Sequence, residues 1–297
     1  MTTIDEWREA STATIGAAPD GTQMDTVELL VRDLDAMTAY YHRAVTLDVL
    51  EQSGDTATLG RGTQRIMTLR QRTELPTADR SGAGLYHTAI LFRDRPRLAS
   101  SLLSMAQQVP QTYTGSADHL VSEAFYFTDP EGNGLELYHD RPRSEWQRLP
   151  GGGVQMGSLP LDPNGFLQQW FDEGASHAGD TATIGHVHLQ VGDIPSARAF
   201  YVDTLGFDVT ADLGSALFVS AGGYHHHIGM NTWHSAGAGP RAASLGLGDV
   251  RIVVPTRGDV EELGDRLRFH GISAADDGRA LRFSDPWGTA LVVSPEA

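Results

Sequence analysis

The sequence predicts an α+β protein assembled from four copies of one βαβββ module. Three observations carry this. VRDLDAMTAYYHRAVTLDVL (31–50) aligns without gaps on VGDIPSARAFYVDTLGFDVT (191–210), matching Asp33 with Asp193 and Tyr41 with Tyr201 at a constant offset of 160 residues. DPEGNGLEL, from Asp129, aligns with DPWGTALVV, from Asp285. Alternating runs such as VELLV and HVHLQV each end at an aspartate suited to cap a helix, and apolar residues at helical spacing follow.

The first module, about 24–72, opens on VELLV and sets Leu34, Met37 and Tyr41 on one helical face, before short strands rich in Val, Ile, Phe and Tyr. The second, about 84–140, opens on YHTAILFRD. The third, about 182–235, repeats the first with Ile194, Ala197 and Tyr201 in its helix, and the fourth, about 246–295, opens on DVRIVVPT. Residues 1–146 therefore form an N-terminal half and 181–297 a C-terminal half. The intervening 147–180 is expected to be a linker, Gly/Pro-rich at RLPGGG and helical only at GFLQQWF.

Composition narrows the function. The net charge is −16, and all 22 basic residues are Arg, so neither nucleic acid nor an anionic membrane is an expected partner. No apolar run is long enough to span a bilayer, and MTTIDEWREAST lacks the basic flank and apolar core of a signal peptide. Without cysteine there are no disulfides or thiolate metal sites, and a cytoplasmic location fits.

The repeat register singles out three residues. His87 lies seven residues before Asp94, and His186 seven before Asp193; the matching positions in modules one and four are Thr26 and Asp249. Glu136 ends module two where module four has Val292. Alone, a strand histidine is more often a hydrogen-bonded core group, and the Glu of GLELY the outer face of a strand. Together, two imidazoles and a carboxylate are the set that holds non-haem Fe(II) with positions left open. The set is complete if modules two and three pair, and one with four; pairing of consecutive modules would need Thr26 or Glu28 instead. His188 faces the same side as His186, either supporting that ligand or replacing it. His42, His139, His177, His234 and His270 have no partnering pattern and are expected at the surface.

Four βαβββ modules in one chain resemble the vicinal oxygen chelate superfamily of glyoxalases, fosfomycin-resistance proteins and extradiol dioxygenases. The resemblance implies two cupped mixed-sheet barrels made from paired modules, with metal ligands from first strands and one last strand. ADHLVSEAFYFTDPEGNGLELY (117–138) further resembles the extradiol signature through His119, Phe125-Tyr126, Asp129-Pro130-x-Gly132 and Glu136. Ala117 departs from it, since Gly, Asn, Thr or an aliphatic is usual there, and the Asp-Pro-x-Gly turn alone is common. With GLYHTAIL, DRPRSEWQR and SAGGYHHHIGMNTW, the chain is similar to the shorter bacterial catechol 2,3-dioxygenases.

That resemblance implies Fe(II) at His87, His186 and Glu136, although the same ligands accept Mn(II). It also implies a small aromatic diol and O2 as reactants, a muconic semialdehyde as product and a homo-oligomeric assembly. His119 would exchange protons or donate hydrogen bonds near the substrate oxygens, and Tyr126 would hold the catecholate oxygen. A distal histidine in the last strand of module three would handle protons beside O2; within YHHHIGMN the family pattern favours His226 over His225 and His227. Two rivals stand beside this. A glyoxalase-type isomerase would need a second glutamate, which YHHHIGMN lacks, and a metal-free binding protein would have a degenerate ligand set.

Overall fold

Residues 16–150, 153–173 and 181–296 are described by the structure, a computed structural model. His177 lies outside them. Module one contains β1 (Gln23–Val31), α1 (Leu34–Ala39), β2 (Asp48–Ser53), β3 (Thr56–Arg61) and β4 (Gln64–Gln71). Module two contains β5 (Gly84–Phe92), α2 (Arg95–Gln108), β6 (Tyr113–Asp118), β7 (Ser122–Thr128) and β8 (Gly134–Asp140). β9 (Leu159–Pro160) and α3 (Pro163–Trp170) follow. Module three contains β10 (Ala182–Gln190), α4 (Ile194–Arg198), β11 (Asp208–Asp212), β12 (Ala216–Ser220) and β13 (Ile228–Asn231). Module four contains β14 (Gly246–Val254), α5 (Arg257–Phe269), β15 (Ala275–Asp276), β16 (Leu281–Ser284) and β17 (Ala290–Pro295).

The helices start where capping chemistry requires. Asp33, Asp94 and Asp193 accept the Ala36, Arg97 and Ser196 amides at 3.0, 3.1 and 2.7 Å, and Thr256 closes a capping box with Asp259. α1 and α4 each run on into a π turn, Tyr40–Ala44 and Ala199–Thr204. These turns carry the repeated tyrosines onto the repeated aspartates: Tyr41 donates to Asp129 and Tyr201 to Asp285, both at 2.9 Å. The two aligned motifs thus bond to each other, each odd module gripping the turn of the next.

Two mixed sheets form, of eight strands (β15-β16-β17-β14-β1-β4-β3-β2) and nine (β11-β12-β13-β10-β5-β8-β7-β6-β9). Antiparallel β1–β14 joins modules one and four, and antiparallel β10–β5 joins two and three. One apolar core lies between the sheets, with Val27, Leu29, Ile90, Phe92, Val187, Leu189, Leu247 and Val250 among its buried members. Strand alternation sends the opposite side chains into the cups. A β-bulge between Ile184 and His186 adjusts that alternation, so Ile184 and Val187 both face the core while His186 faces the cup. β1 has the matching irregularity between Met24 and Val27.

The segment expected to be a linker does more than connect. β9 adds an edge strand through Ala117↔Pro160 and Asp118↔Leu159, and α3 buries Phe166 against Phe125, with ring centroids 4.9 Å apart. Its short apolar pieces pair with an open sheet edge, which local composition does not reveal.

Candidate metal centre

Four strands lay one row of side chains across the floor of the second cup. Tyr126 pairs with Glu136, Glu136 with Ala89, and Ala89 with His186. His87, two residues before Ala89, pairs with His188. The small Ala89 leaves a gap that Glu136 and both imidazoles converge upon. Gly134 permits this approach: a Cβ there would lie 2.0 Å from the Tyr86 carbonyl oxygen, so any side chain would push β8 off β5.

His87 Nε2 and His186 Nε2 lie 3.0 and 3.2 Å from Glu136 Oε2. Single donor atoms of the three residues fall within 4.8 Å of one another, and the residues form the only such metal-capable group among the described residues. All three are buried. Burial would raise the Glu136 pKa, but the two imidazoles outweigh it and hold the carboxyl well below its usual range. Burial lowers His186 to about 4, so it is neutral at pH 7 with a lone pair to give. His87 Nε2, despite its distance from Glu136, lies off the hydrogen-bonding direction and has no hydrogen-bond partner. A buried, unsatisfied imidazole nitrogen beside an ionised carboxylate fits a cation better than an internal ion pair.

The centre opens into a cavity of about 1070 Å³. On one side His119 Nδ1 lies 2.6 Å from the Gly157 carbonyl, and His119 Nε2 lies 2.6 Å from Tyr126 Oη. The carbonyl can only accept, so a neutral His119 carries its proton on Nδ1 and receives the Tyr126 hydroxyl proton at Nε2. Burial and the Glu136 charge hold the Tyr126 pKa well above its ordinary value, keeping that hydroxyl protonated. On the other side the His226 ring lies 4.1 Å from the His186 ring, and burial presses its pKa well down. Tyr86, Phe218 and Trp233 complete an aromatic wall around His188.

Two expectations need correction. His226 is not in the last strand of module three: His225–His227 precede β13, after the turn at Gly222 and Gly223, both of which have positive φ. The turn shortens β13, yet His226 still lines the cavity while His225 and His227 point elsewhere. His139 is half-buried, with Nδ1 3.0 Å from the Phe92 carbonyl. His188 shares the His186 face but is not among the converging donors; its Nε2 lies 3.0 Å from Asn231 Nδ2. His42, His234 and His270 are exposed. Gly157, Tyr86 and Trp233 were not singled out in the sequence, since none carries a ligand-like or repeated signature.

Paired βαβββ modules around a buried His–His–Glu group define a metal-binding vicinal oxygen chelate protein. The chain belongs to the Glyoxalase/Bleomycin resistance protein/Dioxygenase superfamily, whose profile matches residues 23–137 and 183–293. It is 36% identical over 281 residues to the catechol-2,3-dioxygenase of Bacillus subtilis (strain 168), covering 92% of this chain and 97% of that protein. Among solved structures, a provisionally assigned dioxygenase of Bacillus subtilis subsp. subtilis str. 168 superposes with a TM-score of 0.62 at 13% identity, covering 94% of this chain and 86% of the other. Glyoxalase I of Zea mays gives 0.55 at 16% identity, covering 93% and 92%. At these identities the structural likeness is one of fold. No helix among the described residues is long and apolar enough to cross a membrane.

Proposed function

We propose that this protein is an extradiol ring-cleaving dioxygenase, a catechol 2,3-dioxygenase, that uses Fe(II) held by His87, His186 and Glu136. The observation that carries the reading is the joining of this triad to Tyr126 and His119 on one side and His226 on the other, around one cavity. The 36% identity to the B. subtilis catechol-2,3-dioxygenase supports it. When bound, the iron supplies open positions for the two diol oxygens and O2 and lowers the pKa of the diol.

The protein's own groups then orient and deprotonate. Tyr126, protonated and anchored by His119, offers its hydroxyl to one substrate oxygen, and His119 Nε2 can take a proton passed through it. Glu136 stays ionised, balancing part of the metal charge. His226 stands across the cup from Tyr126, beside His186, and serves the O2 side. The aromatic wall of Tyr86, Phe218 and Trp233 offers ring surfaces against which an aromatic substrate can pack.

A glyoxalase-type isomerase is disfavoured by Gly229. It pairs with His188 as Glu136 pairs with Ala89, so it occupies the position of a second acidic ligand. A Cβ there would meet the His188 ring at 3.1 Å and Phe218 at 3.3 Å. The test is anaerobic Fe(II) loading followed by catechol in air. The expected result is a yellow product with O2 uptake matching catechol consumed, and no O2 uptake with any simple catechol would sink the proposal.

A further inference from the structure

Behind the cavity runs a chain of three side chains. His226 lines the cavity, fully buried His225 lies behind it, and Asp140 ends β8 beyond that. His225 Nε2 is 2.8 Å from Asp140 Oδ1, and His225 Nδ1 is 2.7 Å from His226 Nδ1. Packing fixes the middle ring: Tyr224 and Trp146 lie 4.1 and 5.3 Å from it, and its backbone carbonyl accepts from Thr210 Oγ1 at 2.6 Å. His225 therefore cannot turn its other edge to Asp140 without unpacking this cluster.

The donors and acceptors follow one after another. A carboxylate only accepts, so His225 donates from Nε2. In the neutral ring that leaves Nδ1 bare, able only to accept, so His226 must donate from its own Nδ1. The remaining His226 nitrogen, Nε2, then carries the lone pair. We propose that Asp140 and His225 are positioning residues that lock His226 in the Nδ1–H tautomer, so that it meets the reactants as a proton acceptor rather than a donor. The arrangement parallels His119 across the cavity, whose Nδ1–H is pinned by the Gly157 carbonyl. Both imidazoles facing the reactants are thus set from behind, by groups that do not touch them.

The consequence for turnover rests on the ring-cleavage reading above; the tautomer itself does not. Long-range 15N–1H NMR of histidine-labelled, zinc-loaded protein reads it without any reaction. The expected pattern is Nε2–H at His225 and Nδ1–H at His226; Nε2–H at His226 in the wild type would overturn the proposal. In Asp140→Ala, with zinc content unchanged, both rings should become tautomer mixtures, and an unaltered pattern would remove Asp140 from the role. Asp140→Leu, closer in volume, gives the same reading should the alanine variant not fold. With iron and catechol, kcat should fall about 10- to 100-fold while KM stays within about twofold. A change in KM alone would count against a positioning role. If catechol is not turned over at all, the dioxygenase reading fails while the tautomer measurement still decides this one.

Discussion

Glu136→Gln separates a metal ligand from a structural ion pair. Glutamine keeps the volume but removes the charge and one strong donor oxygen. Four-ligand structural zinc sites are worth about 10–16 kcal/mol, so one ligand here carries about 3–4 kcal/mol. That corresponds to a loss of roughly 100- to 1,000-fold in metal affinity. The carboxylate also stabilises the metal-free protein, because the imidazoles hold its pKa below the unfolded value and removing the charge at pH 7 therefore costs stability. The wild-type carboxylate is ionised at 2% exposure, and desolvating it costs several kcal/mol. Because burial lowers His186 to about 4, the substitution leaves no unpaired imidazolium at His186 at pH 7. Because desolvation offsets part of that contribution, metal-free E136Q should unfold at only slightly lower denaturant than metal-free wild type. A structural ion pair predicts instead a loss of about 3–5 kcal/mol. Iron content by elemental analysis and urea titration of chelator-treated protein read the two quantities. Wild-type iron retention, or a metal-free protein destabilised by that amount, would refute the site.

Other perturbations test other links. Tyr126→Phe should retain iron but lower kcat by about 100-fold or more, the range of one positioned proton-transfer group, measured as O2 uptake. Gly134→Ala, which forces β8 from β5 beside His87, should lose iron and show changed β5 amide resonances, and retained iron would show that the strand gap is not needed. Tyr41→Phe and Tyr201→Phe should each cost about 1.5–3 kcal/mol in urea titration, because each removes one hydrogen bond from a buried aspartate. Burial lowers His186 to about 4 and His227 to about 3, so below about pH 6.5 the unfolded chain binds more protons than the folded one. Their contribution is present above that pH and is lost as pH falls, with His186 alone worth about 3 kcal/mol by pH 4. Chelator-treated protein titrated with urea at successive pH values should show this decline, and a flat profile would contradict it.

What was legible in the sequence was whatever repeats at fixed register. The aspartate caps, the paired tyrosines and the equivalence of His87 with His186 all recur at one spacing, and together they give module order and the candidate ligand set. The pairing of modules two and three followed from demanding a complete ligand set, and β10–β5 has that pairing. Features that depend on contacts between distant segments were not legible. Gly157, in an unremarkable QMGSLP, orients His119 only because β9 joins the edge of β6. His226 reaches the cavity from a loop, since two positive-φ glycines end the preceding strand early. Asp140 lies four residues beyond Glu136, yet its partner His225 is 85 residues away in sequence.

The sheet with no metal-capable group among the described residues still shapes the other. It repeats the bulge, but Thr26 and Asp249 stand where the histidines are, and its carboxylates are already satisfied. Asp249 is clamped in two contacts of 3.1 Å by Arg251, and Glu28 lies 2.7 Å from Arg70. Module one instead grips the turn between β7 and β8, the strands that carry Tyr126 and Glu136. Tyr41 bonds Asp129, and the Arg32 and Asp33 amides each reach Glu131 Oε1 at 2.8 Å. Those three contacts fix the turn that sets the spacing of Tyr126 and Glu136. Lacking those imidazoles, the first sheet has a mechanical role: it is the mount on which the cavity-lining strands of the second are held.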